Sequence, residues 1–133
     1  MRIGVWSVVR PLGQLESVVM GRLWSYRSPV AVREVLEDLR QDRTIAYTTV
    51  MTVMDNLHRK GFLAREMVGR AYHYVPAQTL EQHNAAVMGE ALAASSDRTA
   101  TLLRFLEQMA AEDVIRLQEA LASRAPTHKA RNR

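Results

Sequence analysis

Apolar positions recur at helical spacing three times within the first 60 residues. Leu15, Val18, Val19 and Leu23 form one stripe, with Trp24 ending the segment. Val32, Val35, Leu36 and Leu39 form a second, and Val50, Val53, Met54 and Leu57 a third. Spacing of i, i+3, i+4 and i+7 places such residues on one side of a helix, so each stripe predicts an amphipathic helix with one buried face. Residues 25–29, SYRSP, read as a turn, because Pro29 lacks an amide donor and biases Ser28 away from helical backbone. Residues 41–44 make a polar break before the third helix, predicted over 46–60 and closed by Gly61. The pattern then shortens. Residues 62–67 and 71–75 read as strands around a tip carrying Gly69 and Arg70, and Pro76 ends the second strand because it cannot donate to a ladder. Three helices and a hairpin make a unit of about 65 residues, enough for a marginal independent core.

Beyond Pro76 the pattern is helical throughout. Leu80, Val87, Met88, Ala91 and Leu92 mark a helix over 80–94. Residues 95–97, SSD, can cap another that carries Leu102, Leu103, Phe105, Leu106 and Met109, and a last helix holds Val114, Leu117 and Leu121. Three short helices have too little to enclose alone. Their spare apolar faces predict a partner, most simply the same segment of a second chain; packing back on the first unit is the alternative. The predicted dimerisation set is Leu80, Val87, Met88, Leu92, Leu102, Leu103, Leu106, Met109, Val114, Leu117 and Leu121. The expected organisation is an irregular arm at 1–11, a helix-and-hairpin domain at 12–76, a helical dimerisation domain at 77–123 and a disordered basic tail at 124–133. The fold class is mainly α with a small β-hairpin.

Charge sharpens this division. Residues 1–76 carry 11 Lys and Arg against 7 Asp and Glu, residues 77–123 carry 3 against 7, and the tail carries 4 against none. A basic first domain suits a polyanion, and an acidic middle suits another task. Zero cysteines among 133 residues excludes disulfides, thiol redox sensing and thiolate metal sites. No run approaches the ~18 apolar residues of a membrane span, and the apolar N-terminal stretch is too short for a secretory signal, so a cytoplasmic protein without membrane insertion is expected.

The third helix and hairpin carry the candidate chemistry. Opposite the apolar stripe stand Thr48, Thr52, Asp55 and Arg59, and the hairpin tip holds Arg70. Short hydrogen-bonding groups on a helix beside a basic hairpin suit reading a DNA groove, which predicts a winged helix-turn-helix domain. Base edges are expected to meet Tyr47, Thr48, Thr49, Met51 and Thr52: threonine bonds a base or a phosphate and touches thymine with its methyl, whereas methionine offers apolar contact. Thr49 is placed either toward DNA or half-buried, and Tyr47 either reaches DNA or caps the core. Phosphates are expected to meet Arg43, Arg59, Lys60 and Arg70. Asp55 and Arg59, four residues apart, also fit a surface ion pair. Asp38 and Asp42 are expected to face solvent. His58, His73, His83 and His128 lack the spacing of a metal site, no cofactor is expected, and no phosphate loop, nucleophile elbow or carboxylate dyad marks an enzyme.

The order of motifs resembles the penicillinase-repressor family of winged-helix regulators, over roughly residues 12–123. The resemblance rests on Leu15 and Glu16 through Leu23 and Trp24, on Pro29 with 32–36 (VREVL), on 46–54 (AYTTVMTVM), on 57–61 (LHRKG), and on Gly69 and Arg70 followed by 72–74 (YHY). It implies a homodimeric repressor of double-stranded promoter DNA, controlling antibiotic-resistance genes of the β-lactamase type. It also implies relief by cleavage in the C-terminal helices, triggered by a membrane sensor with a protease domain. The family's cleavage point, typically between Asn and Phe, falls here at Arg104 and Phe105. The Cys-rich tail of a copper-responsive branch is missing, and Asn56 stands where relatives often carry Arg.

The expected function is therefore a sequence-specific repressor acting as a homodimer on an inverted-repeat operator. Two alternatives are a small-molecule-responsive regulator with a pocket lined by Trp24, Val75 and Leu80, and an adaptor whose winged helix docks protein.

Overall fold

A computed structural model of the chain describes residues 10–131, with side chains described as far as 124. Of the expected arm, Arg10 and Pro11 are irregular and residues 1–9 lie outside the described residues. Helices α1 (Gln14–Ser25), α2 (Val32–Leu39) and α3 (Tyr47–Arg59) follow the three apolar stripes. Strands β2 (Leu63–Val68) and β3 (Ala71–Pro76) form the hairpin, and α4 (Leu80–Ala93), α5 (Arg98–Glu107) and α6 (Ala111–Arg131) complete the chain. A strand that periodicity did not predict, β1 (Val30–Ala31), directly precedes α2 and pairs antiparallel with β3, Val30 opposite Tyr74. The hairpin is thus part of a three-stranded sheet in the order β1-β3-β2.

The core lies where the stripes meet the sheet. Val19, Met20, Val35, Leu39, Val50, Met54 and Leu57 have no exposed surface, and Leu23, Val30, Leu36, Leu63 and Tyr74 join them. Each such side chain contributes about 1.5–3 kcal/mol relative to remaining exposed.

One polar group is drawn into this core. Glu16 of α1 is buried, its Oε1 accepting from Gly13 N at 2.7 Å and Lys60 Nζ at 2.8 Å. The first bond satisfies a backbone donor at the start of α1, and the second ties that end to the C-terminus of α3. Hydrogen bonding from Lys60 outweighs burial and holds the Glu16 carboxyl below its ordinary range. A second tie joins α1 to α2. Arg22 lies 2.6 Å from Asp38 and 2.8 Å from Asp42, and the Tyr26 hydroxyl donates to Asp38. Burial foremost, with the Asp38 carboxylate, raises the Tyr26 hydroxyl above its usual value. Asp38, expected to face solvent, is half-buried against this arginine of the neighbouring helix, whereas Asp42 is exposed as expected while reaching the same arginine.

The described residues separate into two compact units that divide after Glu90. The division falls inside α4 and not at Pro76, because the first turns of α4 are fastened within the first unit. Thr79 and Gln82 form a reciprocal capping box. The Trp24 indole donates to Gln78 O at 2.9 Å, and the His83 ring centroid lies 5.1 Å from that of Trp24, tilted against it, and 5.7 Å from that of Phe62, edge-on. In the second unit, Asp97 caps α5, its Oδ1 accepting from Ala100 N at 3.0 Å. The backbone of α6 continues as helix to Arg131, through the stretch from 124 where a disordered tail was expected. The helical backbone there runs through Pro126, so the composition of the stretch does not account for it. Among the described residues no helix is long and apolar enough to cross a membrane.

Replacing Glu16 by Gln should cost about 1.5–3 kcal/mol, the worth of a hydrogen bond to a charged group. Because the folded-state carboxyl is lowered, its stabilisation is present at neutral pH and is lost as pH falls through that lowered value. Denaturant melts should therefore show a wild-type advantage at pH 7 that shrinks on acidification.

Candidate nucleic-acid interface

The helix α3 is fixed from one side only. Val50, Met54 and Leu57 are sealed in the core and Val53 is half-buried, so the opposite face is left to solvent. Tyr47 and Met51 are 42% and 43% exposed, and Thr48, Thr49 and Thr52 are also exposed. Both open alternatives resolve outward: Thr49 is not half-buried, and Tyr47 does not close the core. The helix begins without a side-chain cap at Ala46. It ends in a Schellman motif, with Phe62 N bonded to Leu57 O at 2.9 Å and Gly61 N to His58 O at 3.0 Å. Gly61 takes φ of 90°, the conformation this reversal demands and that side chains resist. Phe62 then packs against the core, which sends β2 back along the helix.

The hairpin is tight. Val68 pairs with Ala71, leaving Gly69 and Arg70 as a two-residue connection with Gly69 at φ 65°. A glycine with positive φ at the first loop position matches the twist of the flanking strands. Arg70 therefore stands exposed at the tip. Strand β3 passes from core to surface: Tyr74 is buried, whereas Tyr72, two residues closer to the tip, is 40% exposed.

The basic residues divide into two groups. Arg43, in the turn between α2 and α3, is exposed, as is Arg70. Arg59 is exposed but lies 2.9 Å from Asp55, the surface pair its spacing allowed. Lys60, expected to meet phosphate, points inward, its ammonium held by buried Glu16. One cation was missed. Arg65 of β2 crosses to Asp55 at 3.0 Å, with its guanidinium carbon 4.0 Å from the centre of the Tyr72 ring and Nη1 3.4 Å from the Tyr74 hydroxyl. Tyr74 is the largest cause raising the Arg65 guanidinium above its usual value. The signal was the alternation in β2, which sets Arg65 on the same face as Leu63, toward α3. Together Met51, Thr52, Asp55, Asn56, Arg59, Arg65, Tyr72 and Tyr74 line a groove of about 480 Å³ beside the helix.

The other predicted sites fall elsewhere. Leu102, Leu103, Leu117 and Leu121 are exposed in the second unit, Leu80, Val87 and Met88 are exposed on α4, and Leu92, Leu106, Met109 and Val114 are half-buried. Ile115, absent from the predicted set, is also exposed. Arg104 and Phe105 sit in the last turn of α5, exposed, with Arg104 3.5 Å from Glu107. Trp24, Val75 and Leu80 do line a common cavity, an open cleft of about 460 Å³ with Leu23, Tyr26 and residues 76–79.

A helix sealed on one side and bare on the other, beside a β-hairpin, defines a winged-helix DNA-binding domain. Residues 12–123 match the model of the penicillinase repressor family, and the chain belongs to that family. It is 39% identical over 120 residues to the transcriptional regulator BlaI of Mycobacterium tuberculosis, in strains CDC 1551 / Oshkosh and ATCC 25618 / H37Rv, covering 88% of this chain and 87% of that protein. Looser structural similarity exists to MepR, a transcription regulator of the Staphylococcus aureus multidrug efflux pump MepA. There the TM-score is 0.45 at 14% identity, over 87% of this chain and 79% of that one. A MarR-like transcriptional regulator from Thermotoga maritima gives 0.43 at 22% identity, over 99% and 88%. The family consists of transcriptional regulators, not enzymes.

Gly61→Ala meets no neighbouring atom, so its cost is conformational alone. It should lower stability by about 1–2 kcal/mol, the penalty of a left-handed residue with a Cβ, readable as a lower urea midpoint at unchanged slope.

Proposed function

We propose that the chain is a homodimeric repressor that binds an inverted-repeat operator in promoter DNA. The carrying observation is the bare face of α3, where Tyr47, Thr48, Thr49, Met51 and Thr52 are exposed beside a hairpin tipped by Arg70. Threonines reach base edges and phosphates, and the two exposed apolar-bodied side chains suit thymine methyls. Arg43, Arg59 and Arg70 neutralise phosphates; Lys60 is left out of this set because Glu16 holds it. With few long polar side chains on the reading face, part of the selectivity comes from DNA shape and half-site spacing.

Exposed leucines on α5 and α6, with Val87 and Met88 on α4, support the second half of the proposal. These are faces a second copy would cover, and pairing two copies yields a two-fold operator. Penicillinase-type resistance genes are the first targets to examine, on the strength of the family. Cleavage between Arg104 and Phe105 would detach the last three residues of α5 and all of α6 from the DNA-binding domain, so proteolysis there would relieve repression by removing the α6 part of the dimer contacts.

Selection from a random duplex pool should yield a two-fold-symmetric site. Its affinity should fall with salt at a logarithmic slope of about −5, for roughly six phosphate contacts per dimer. Thr48→Ala with Thr52→Ala should weaken that site by about 1–3 kcal/mol and relax its sequence preference, while Arg70→Ala should weaken all duplexes alike and reduce the slope. Unchanged affinity in both would remove α3 and its wing from the interface. Leu103→Asp with Leu121→Asp should halve the mass seen by light scattering while the helical signal persists; a mass that stays dimeric would sink the assigned face.

A further inference from the structure

A carboxylate on the side of α3 that a polyanion approaches requires an explanation. Asp55 is that group, half-buried in the groove between helix and hairpin. Its two oxygens are divided between two arginines from different elements. Oδ2 lies 2.9 Å from Arg59 Nη2, one helical turn on, and Oδ1 lies 3.0 Å from Arg65 Nη1, on β2. Arg65 is held a third way, 4.0 Å over the Tyr72 ring. The carboxylate thus straps α3 to the hairpin at the level of Met51 and Thr52, the residues assigned to bases.

Two guanidiniums around one carboxylate leave a single net positive charge. Unpaired, both arginines would bind any phosphate that drifted into the groove. Paired with Asp55, each meets phosphate only by sharing its charge with the carboxylate, and phosphate meets the carboxylate as a like charge. A base edge presents partial charges and escapes most of that repulsion. The device penalises binding in the wrong register more than binding in the right one, which is selectivity by repulsion. It contributes little to folding by comparison, because a pair with this much water access stabilises only modestly.

We propose that Asp55 is a specificity-determining positioning residue: it fixes Arg59 and Arg65 in the groove and disfavours non-operator DNA. The inference rests on the reading of α3 and the hairpin as the DNA-binding face. The test compares full-length wild type with Asp55→Asn and Asp55→Glu on the selected duplex and on a random duplex of equal length, each titrated with salt, alongside thermal melts. For Asp55→Asn we expect random-duplex binding about tenfold tighter, a preference ratio about tenfold smaller, and a salt slope steeper by about one per protomer. Asp55→Glu should restore most of the ratio. Proportionate weakening on both duplexes with a lower melting temperature would make Asp55 a structural strap and overturn the proposal, as would an unchanged ratio and slope. If the wild type itself showed no preference between duplexes, the DNA-reading assignment would fail, independently of the Asp55 variants.

Discussion

Val50, Met54 and Leu57 on α3 have no surface open to water, and the orientation of everything outside the core depends on that seam. Rotating α3 by one residue, about 100°, would expose these three and bury threonines, costing several kcal/mol of apolar burial and leaving hydroxyls to be satisfied. The helix has one rotational setting, and that setting turns Thr48, Met51 and Thr52 outward. The Schellman end at Gly61 then fixes where the chain leaves, so the hairpin stands beside the exposed face. Apolar packing sets the direction of a polar surface.

Acid–base pairing refines what packing establishes. Lys60 and Arg59 are adjacent in sequence and have opposite fates, because one helical step of rotation separates them. Lys60 faces α1 and closes on Glu16, where two donors satisfy a buried carboxylate; Arg59 faces the groove and shares Asp55 with Arg65. At the helix and hairpin, Lys60, Arg59 and Arg65 are each paired with a carboxylate, whereas Arg43 and Arg70 stand exposed. Net charge near the helix therefore overstates the cation available to a polyanion.

Much of the fold was legible because strong periodicity and strong punctuation coincided. The three stripes gave α1, α2 and α3 within a residue or two, Gly61 and Gly69 marked the reversals, and Asp97 marked the start of α5. The strand β1 was not legible: two residues are too few to show alternation, and Val32 begins a helical stripe immediately after. The burial of Glu16 was hidden for a different reason, since Lys60, 44 residues away, supplies its charge partner. A long-range pair such as Arg22 with Asp38 leaves no local pattern, and for Arg65 the alternation of β2 marks only the face, not the partner Asp55. The division within α4 was hidden likewise, because Trp24 and Phe62, which anchor His83, are remote in sequence. The bare face of α3 was readable from spacing; the inward turn of Lys60 was not.

The two-residue connection between β2 and β3 has an evolutionary consequence. Six residue pairs fix the register of this hairpin, yet the tip touches nothing in the core, so Gly69 and Arg70 can be replaced by a longer loop without disturbing Tyr74 or Leu63. Under the proposed DNA-reading role, insertions at this point would let descendants of the chain lengthen their footprint while the helix and its packing stay as they are.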